Sequence, residues 1–86
     1  MAENIDEVKK KVKEFIIQDF MFGKGELKDE ELLFESGIID SLGFIKLLSF
    51  IEKTFNISFN MSEIVIEKLN TVNSIVNTIL SKKGTT

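Results

Sequence analysis

Three stretches of this chain repeat their apolar residues at intervals of three and four, and no proline interrupts any of them. That spacing makes one side of an α-helix apolar, whereas a strand needs alternation. Ile5, Val8, Val12, Phe15, Ile16 and Phe20 share a face in the first stretch. Leu42, Ile45, Leu48, Ile51 and Phe55 do so in the second, and Val72, Ile75, Val76, Ile79 and Leu80 in the last. Several short strands would need turn residues every roughly 8–12 positions. With 5 glycines and no proline, that punctuation is missing. The expected fold is all-α: a four-helix bundle with a long first loop and a short third helix. It forms one domain over residues 1–86, with a frayed tail at 81–86.

The boundaries follow from local chemistry. Asn4 or Asp6 can cap the first helix, with Asp6 and Glu7 favourable against its dipole, and Gly23 and Gly25 close it. Residues 24–40 form a long acidic connection containing Glu26, Asp29, Glu30, Glu31, Glu35 and Asp40. Leu27, Leu32, Leu33, Phe34, Ile38 and Ile39 can pin it to the helices. The second helix runs from Ser41 or Leu42 to Phe55, and Asn56 suits a left-handed stop. Phe44, Leu47 and Phe50 widen its apolar face around most of the circumference, so it is both central to the fold and open to a partner. Ile57-Ser58-Phe59 reads as an extended link. A brief third helix covers Ser62 to Lys68 with Ser62 as its cap, and the last begins at Asn70 or Thr71. Ile45, Leu48, Ile75 and Ile79 are the expected core.

A net charge of −3 disfavours nucleic acid and anionic membrane and favours proteins with basic patches. Without cysteine there is no disulfide framework and no thiolate metal site. Met1 to Glu7 lack the pattern of a secretory signal, and no apolar run approaches a membrane span. A cytoplasmic monomer is expected. Lys9, Lys10, Lys11 and Lys13 read as a solvated face, with a docking patch for an acidic partner as the alternative. Asp29-Glu30-Glu31 lacks the ligand spacing and central glycine of a calcium loop, so no metal site is expected.

The chemistry concentrates at Asp40-Ser41-Leu42, where the acidic connection meets the second apolar run. Ser41 could be a helix cap, worth about 1 kcal/mol. It could be a catalytic nucleophile, but residue 39 is Ile rather than the glycine of a nucleophile elbow. The chain also has no histidine for a triad, so no catalytic residue is expected. Or it could be modified by another enzyme, since the amides at a helix start suit a phosphate.

The stretch Leu33 to Gly43 (Leu-Phe-Glu-Ser-Gly-Ile-Ile-Asp-Ser-Leu-Gly) resembles the attachment site of the acyl and peptidyl carrier proteins. The likeness extends to the first helix, to Phe55-Asn56-Ile57 and to Asn70-Thr71-Val72, and so covers nearly the whole chain. It implies that Ser41 receives a covalent 4′-phosphopantetheine arm from coenzyme A, with Asp40 and Leu42 as the rest of the motif. Asp40 would help place Ser41 in the phosphopantetheinyl transferase, alongside its ordinary use as a helix-start acid. The arm's thiol would hold an acyl or aminoacyl group as a thioester for presentation to partners. Those partners would be an adenylating ligase and a downstream acyltransferase or synthase, met through Leu42, Phe44 and Lys46 beside Asp40. The alternatives are a carrier-like structural subunit that never takes the arm, and an unrelated helical adaptor.

Fatty acid carriers tend to carry acids along the second helix. Here Gly43, Lys46 and Lys53 replace them, and Glu52 is the one carboxylate between Leu42 and Phe55. Charge pattern selects partners. The run Phe34 to Gly43 and Leu69-Asn70-Thr71-Val72-Asn73 are closer to stand-alone D-alanyl carriers and to nonribosomal peptide and specialised acyl carriers. Asn60 stands where the proline before the third helix often lies.

Overall fold

The computed structural model describes residues 4–83. It contains helices α1 (Ile5–Phe20), α2 (Ser41–Phe55), α3 (Ile66–Leu69) and α4 (Val72–Lys82), with a single 3₁₀ turn at Met61–Glu63 and no strand among the described residues. Asn4 caps α1, its Oδ1 accepting from the Asp6 amide at 2.8 Å. Val8, Val12 and Ile16 are its buried ridge, and Ile5 lies half exposed at the rim. The helix ends before its glycines. Met21 and Gly23 both donate to the Ile17 carbonyl, and Phe22 itself turns left-handed at φ 57°.

From Met21 to Asp40 the chain makes only turns, yet it is firmly seated. Leu27, Leu33 and Ile39 enter the core, while Leu32 stays half exposed. Polar bonds fasten the same segment to both neighbours. The Leu33 amide donates to the Asn70 carbonyl at 2.8 Å, and the Phe34 amide to Asn70 Oδ1 at 2.9 Å. Asn70 Nδ2 in turn donates to Glu35 at 2.8 Å, which accounts for a buried asparagine. Lys9 and Lys13 close on Asp29 at 2.9 and 2.8 Å, so two of the four lysines expected to be solvated hold the connection instead. Asn73 completes the fastening, its amide donating to the Asp29 carbonyl and its side chain to Glu30.

α2 ends where expected, with Asn56 left-handed at φ 55°, ψ 50°. Its phase differs from expectation. Gly43, Leu47, Ile51 and Phe55 face the core, whereas Ile45, expected there, is 64 % exposed and Leu48 only partly covered. A helix apolar around most of its girth cannot be phased by periodicity alone. Contact with α1 decides, and Gly43 leaves the room that the Phe20 ring of α1 fills.

The region after Phe59 also departs from expectation. Ser62 caps nothing; its hydroxyl donates to Asn60 Oδ1, and the Asn60 amide donates to Glu63. The expected helix over Ser62 to Lys68 divides into the 3₁₀ turn and the short α3. Ile64-Val65 interrupt it, at the head of three consecutive β-branched residues that resist helical χ1 angles. Thr71 caps α4, its Oγ1 accepting from the Ser74 amide at 3.0 Å, and all five residues of the expected stripe are buried. Helix α4 continues through Lys82 rather than fraying at Ser81. Lys82 pairs with Glu63 at 2.7 Å, and Lys83 Nζ donates to the Phe55 carbonyl. Residues 84–86 of the expected frayed tail lie outside the described residues. α4 packs against α1 and α3, and α2 against α1.

Candidate functional site

Gly37 bends the end of the connection, its φ of 81° lying where residues with side chains are strained. The chain then buries Ile39 and delivers Asp40 to the start of α2. Asp40, rather than Ser41, is the cap: its Oδ1 accepts from the Gly43 amide at 2.8 Å and its carbonyl from the Phe44 amide at 2.8 Å. Ser41 is therefore the first helical residue and is exposed. Its side chain makes no hydrogen bond among the described residues, so capping does not account for a serine here. The amides of Ser41 and Leu42 belong to the first turn and have no helical carbonyl to bond. Together with the positive end of the 15-residue α2, they suit a phosphate ester on the Ser41 hydroxyl.

The other expected contact residues are divided by the phase of α2. Leu42 is 79 % exposed. Phe44 turns partly inward, its ring edge-on to Phe34 at 5.4 Å. Lys46 reaches back to Asp19 on α1 at 3.2 Å, with its side chain still largely in solvent. Ile45, assigned to the core from the sequence, lies beside Leu42 on the open surface. Its exposure was legible only through Gly43, the small residue that marks the opposite face. Glu52 closes the end of α2: its side chain accepts from the Phe59 amide at 2.9 Å and its backbone carbonyl from the Asn56 and Ile57 amides. Among the described residues no cluster of three or more His, Cys, Asp or Glu is arranged to hold a metal ion.

A family profile described as phosphopantetheine attachment site matches residues 10–79 of this chain, a span that includes Ser41 and all four helices in whole or part. The chain belongs to that family. This carrier is 35 % identical over 74 residues to a D-alanyl carrier protein of Streptococcus suis (strain 05ZYH33), covering 86 % of this chain and 92 % of the relative. It is 44 % identical over 57 residues to D-alanyl carrier proteins of Streptococcus pyogenes serotype M5 (strain Manfredo) and of Streptococcus uberis (strain ATCC BAA-854 / 0140J), covering 66 % of this chain and 71 % of each relative. The carrier is thus a phosphopantetheine-bearing, D-alanyl-carrier-like protein rather than an enzyme. No described helix of it is long and apolar enough to cross a membrane.

Proposed function

We propose that this carrier holds a small aminoacyl group, of the D-alanyl class, as a thioester on a phosphopantetheine arm attached to Ser41. The observation that carries this reading is the exposed Ser41 hydroxyl on the first residue of α2, within the span matched by the attachment-site family. Names of the relatives supply the cargo class. The arm brings the thiol that a cysteine-free chain lacks. Tethering then raises the concentration of the thioester at each partner.

Loading requires a phosphopantetheinyl transferase. Asp40 uses one carboxylate oxygen on its own helix and keeps a charge beside Ser41 with which to meet that enzyme. An adenylating ligase charges the thiol and an acyltransferase or synthase discharges it. These partners meet the surface that carries Leu42, Ile45 and Lys46, with Phe44 supporting it from beneath. The protein acts as a cytoplasmic monomer with residues 1–86 as one carrier domain.

Intact mass tests the reading. Apo protein incubated with coenzyme A, magnesium and a broad-specificity transferase gains one phosphopantetheine, and Ser41→Ala gains none. Because Asp40 provides the cap, Ser41→Ala keeps its stability within about 0.5 kcal/mol. No gain on the folded wild type, or a gain on Ser41→Ala, rejects the site. Charging the holo protein with D-alanine in preference to fatty acids, by a D-alanine-activating ligase, supports the cargo.

A further inference from the structure

The start of α2 is seated on a ring. A Cβ built on Gly43 would stand 2.8 Å from Cε1 of Phe20, closer than such contacts occur, and 3.3 Å from Oδ1 of Asp40. The Phe20 ring therefore occupies the place of a side chain at 43, directly under the turn that carries Ser41. That ring is backed by others. Phe15 meets it edge-on at 5.6 Å and stacks on Phe50 at 4.1 Å with planes 8° apart. Helix α2 is thus gripped by α1 at two heights, Phe50 on Phe15 and Gly43 on Phe20, separated by about 10 Å along its axis. The Lys46–Asp19 pair lies between them in sequence on α2.

We infer that Gly43 and Phe20 are positioning residues for the loading of Ser41: the ring sets the height of α2's first turn, and the missing side chain at 43 leaves the Asp40 cap undisturbed. The inference rests on the reading that Ser41 takes the arm. In that step the Ser41 Oγ forms a bond to phosphorus and gives up its proton to a base of the transferase. The phosphoanhydride bond of coenzyme A breaks, and adenosine 3′,5′-bisphosphate leaves with the bonding pair. In-line attack needs the Oγ at a set point, and displacement of about 1 Å can cost on the order of a hundredfold. A methyl at 43 pushes on the ring beneath Gly43 and on the cap carboxylate that precedes Ser41.

The experiment compares apo wild type, Ser41→Ala, Gly43→Ala and Phe20→Leu/Gly43→Ala. It follows transfer from coenzyme A by a purified transferase by intact mass, and records apo-state amide shifts of Ser41, Leu42 and Phe44. Gly43→Ala lowers kcat by about tenfold or more with KM within about twofold, and moves those three amides. Phe20→Leu removes the ring edge, so the double variant returns to within about threefold of wild-type kcat and recovers the amide shifts. Wild-type kcat in Gly43→Ala overturns the inference. So does a double variant that stays below about a tenth of wild type. If Gly43→Ala alone does not fold, the double variant decides: loading within threefold supports the seat, and failure to fold or load rejects it. Loss of mass gain in wild type, or gain in Ser41→Ala, instead rejects the Ser41 reading and this inference with it.

Discussion

Asp40 caps α2, and under the proposed reading it also meets the transferase. Its side chain and carbonyl fix the first turn of α2, and its charge remains beside Ser41. The tasks separate by substitution. Asp40→Ala costs about 1 kcal/mol in urea unfolding, whereas Asp40→Asn, which also caps well, costs a few tenths, to about 0.5 kcal/mol at most. A loading rate that falls in Asp40→Asn at unchanged stability belongs to the encounter with the transferase. The motif itself was legible because Asp, Ser and Leu stand where an acidic segment meets an apolar one. Which of Asp40 and Ser41 is the cap was not legible, since both residue types cap well and only the backbone at 40, extended at φ −108°, ψ −171°, separates them.

The element that resisted reading was α2. Its ends followed from Asp40-Ser41 and Asn56, but its phase did not, because Phe44, Ile45, Leu47, Leu48 and Phe50 leave too little polar surface to point outward. The amphipathic α1 and α4 had no such ambiguity, and their buried residues fell on the expected stripes. The phase of α2 has a direct test. Leu47→Ala, at full burial, costs about 2–5 kcal/mol in urea unfolding. Ile45→Ala, on the open surface, costs less than about 0.5 kcal/mol, and the reverse ranking would rotate the helix. The interrupted third helix was legible only in part: its shortness followed from the sequence, but the break at Ile64-Val65, where β-branched side chains resist helical χ1 angles, did not.

Taken whole, the molecule is closed by acids from two places in the chain, Asp29 and Glu35 in the long connection and Glu63 in the 3₁₀ turn. Hydrogen bonds from Lys13 and then Lys9 hold the Asp29 carboxyl below its ordinary range, and Asp29 raises Lys9 in return. Asn70 lowers Glu35, and Lys82 lowers Glu63. An unfolded carboxylate takes its proton near pH 4, and these folded ones take theirs lower. Between the two values the unfolded chain binds more protons, so stability rises with pH there. Their contribution is complete above the ordinary carboxylate range and is lost as pH falls through the lowered values. Thermal unfolding is therefore level from about pH 7 to 5 and declines below about pH 4, and Asp29→Asn makes that decline shallower. The partners of these acids could not be paired from the sequence, because the contacts span 16 to 35 residues. Their arrangement also fixes an origin. The connection is moored to α1 by Asp29, to the end of α3 by Asn70 and to the start of α4 by Asn73, so its slack is spent before Ser41. On the proposed reading, an arm on Ser41 would pivot from a stationary hinge, and a partner would search only the volume swept by the arm.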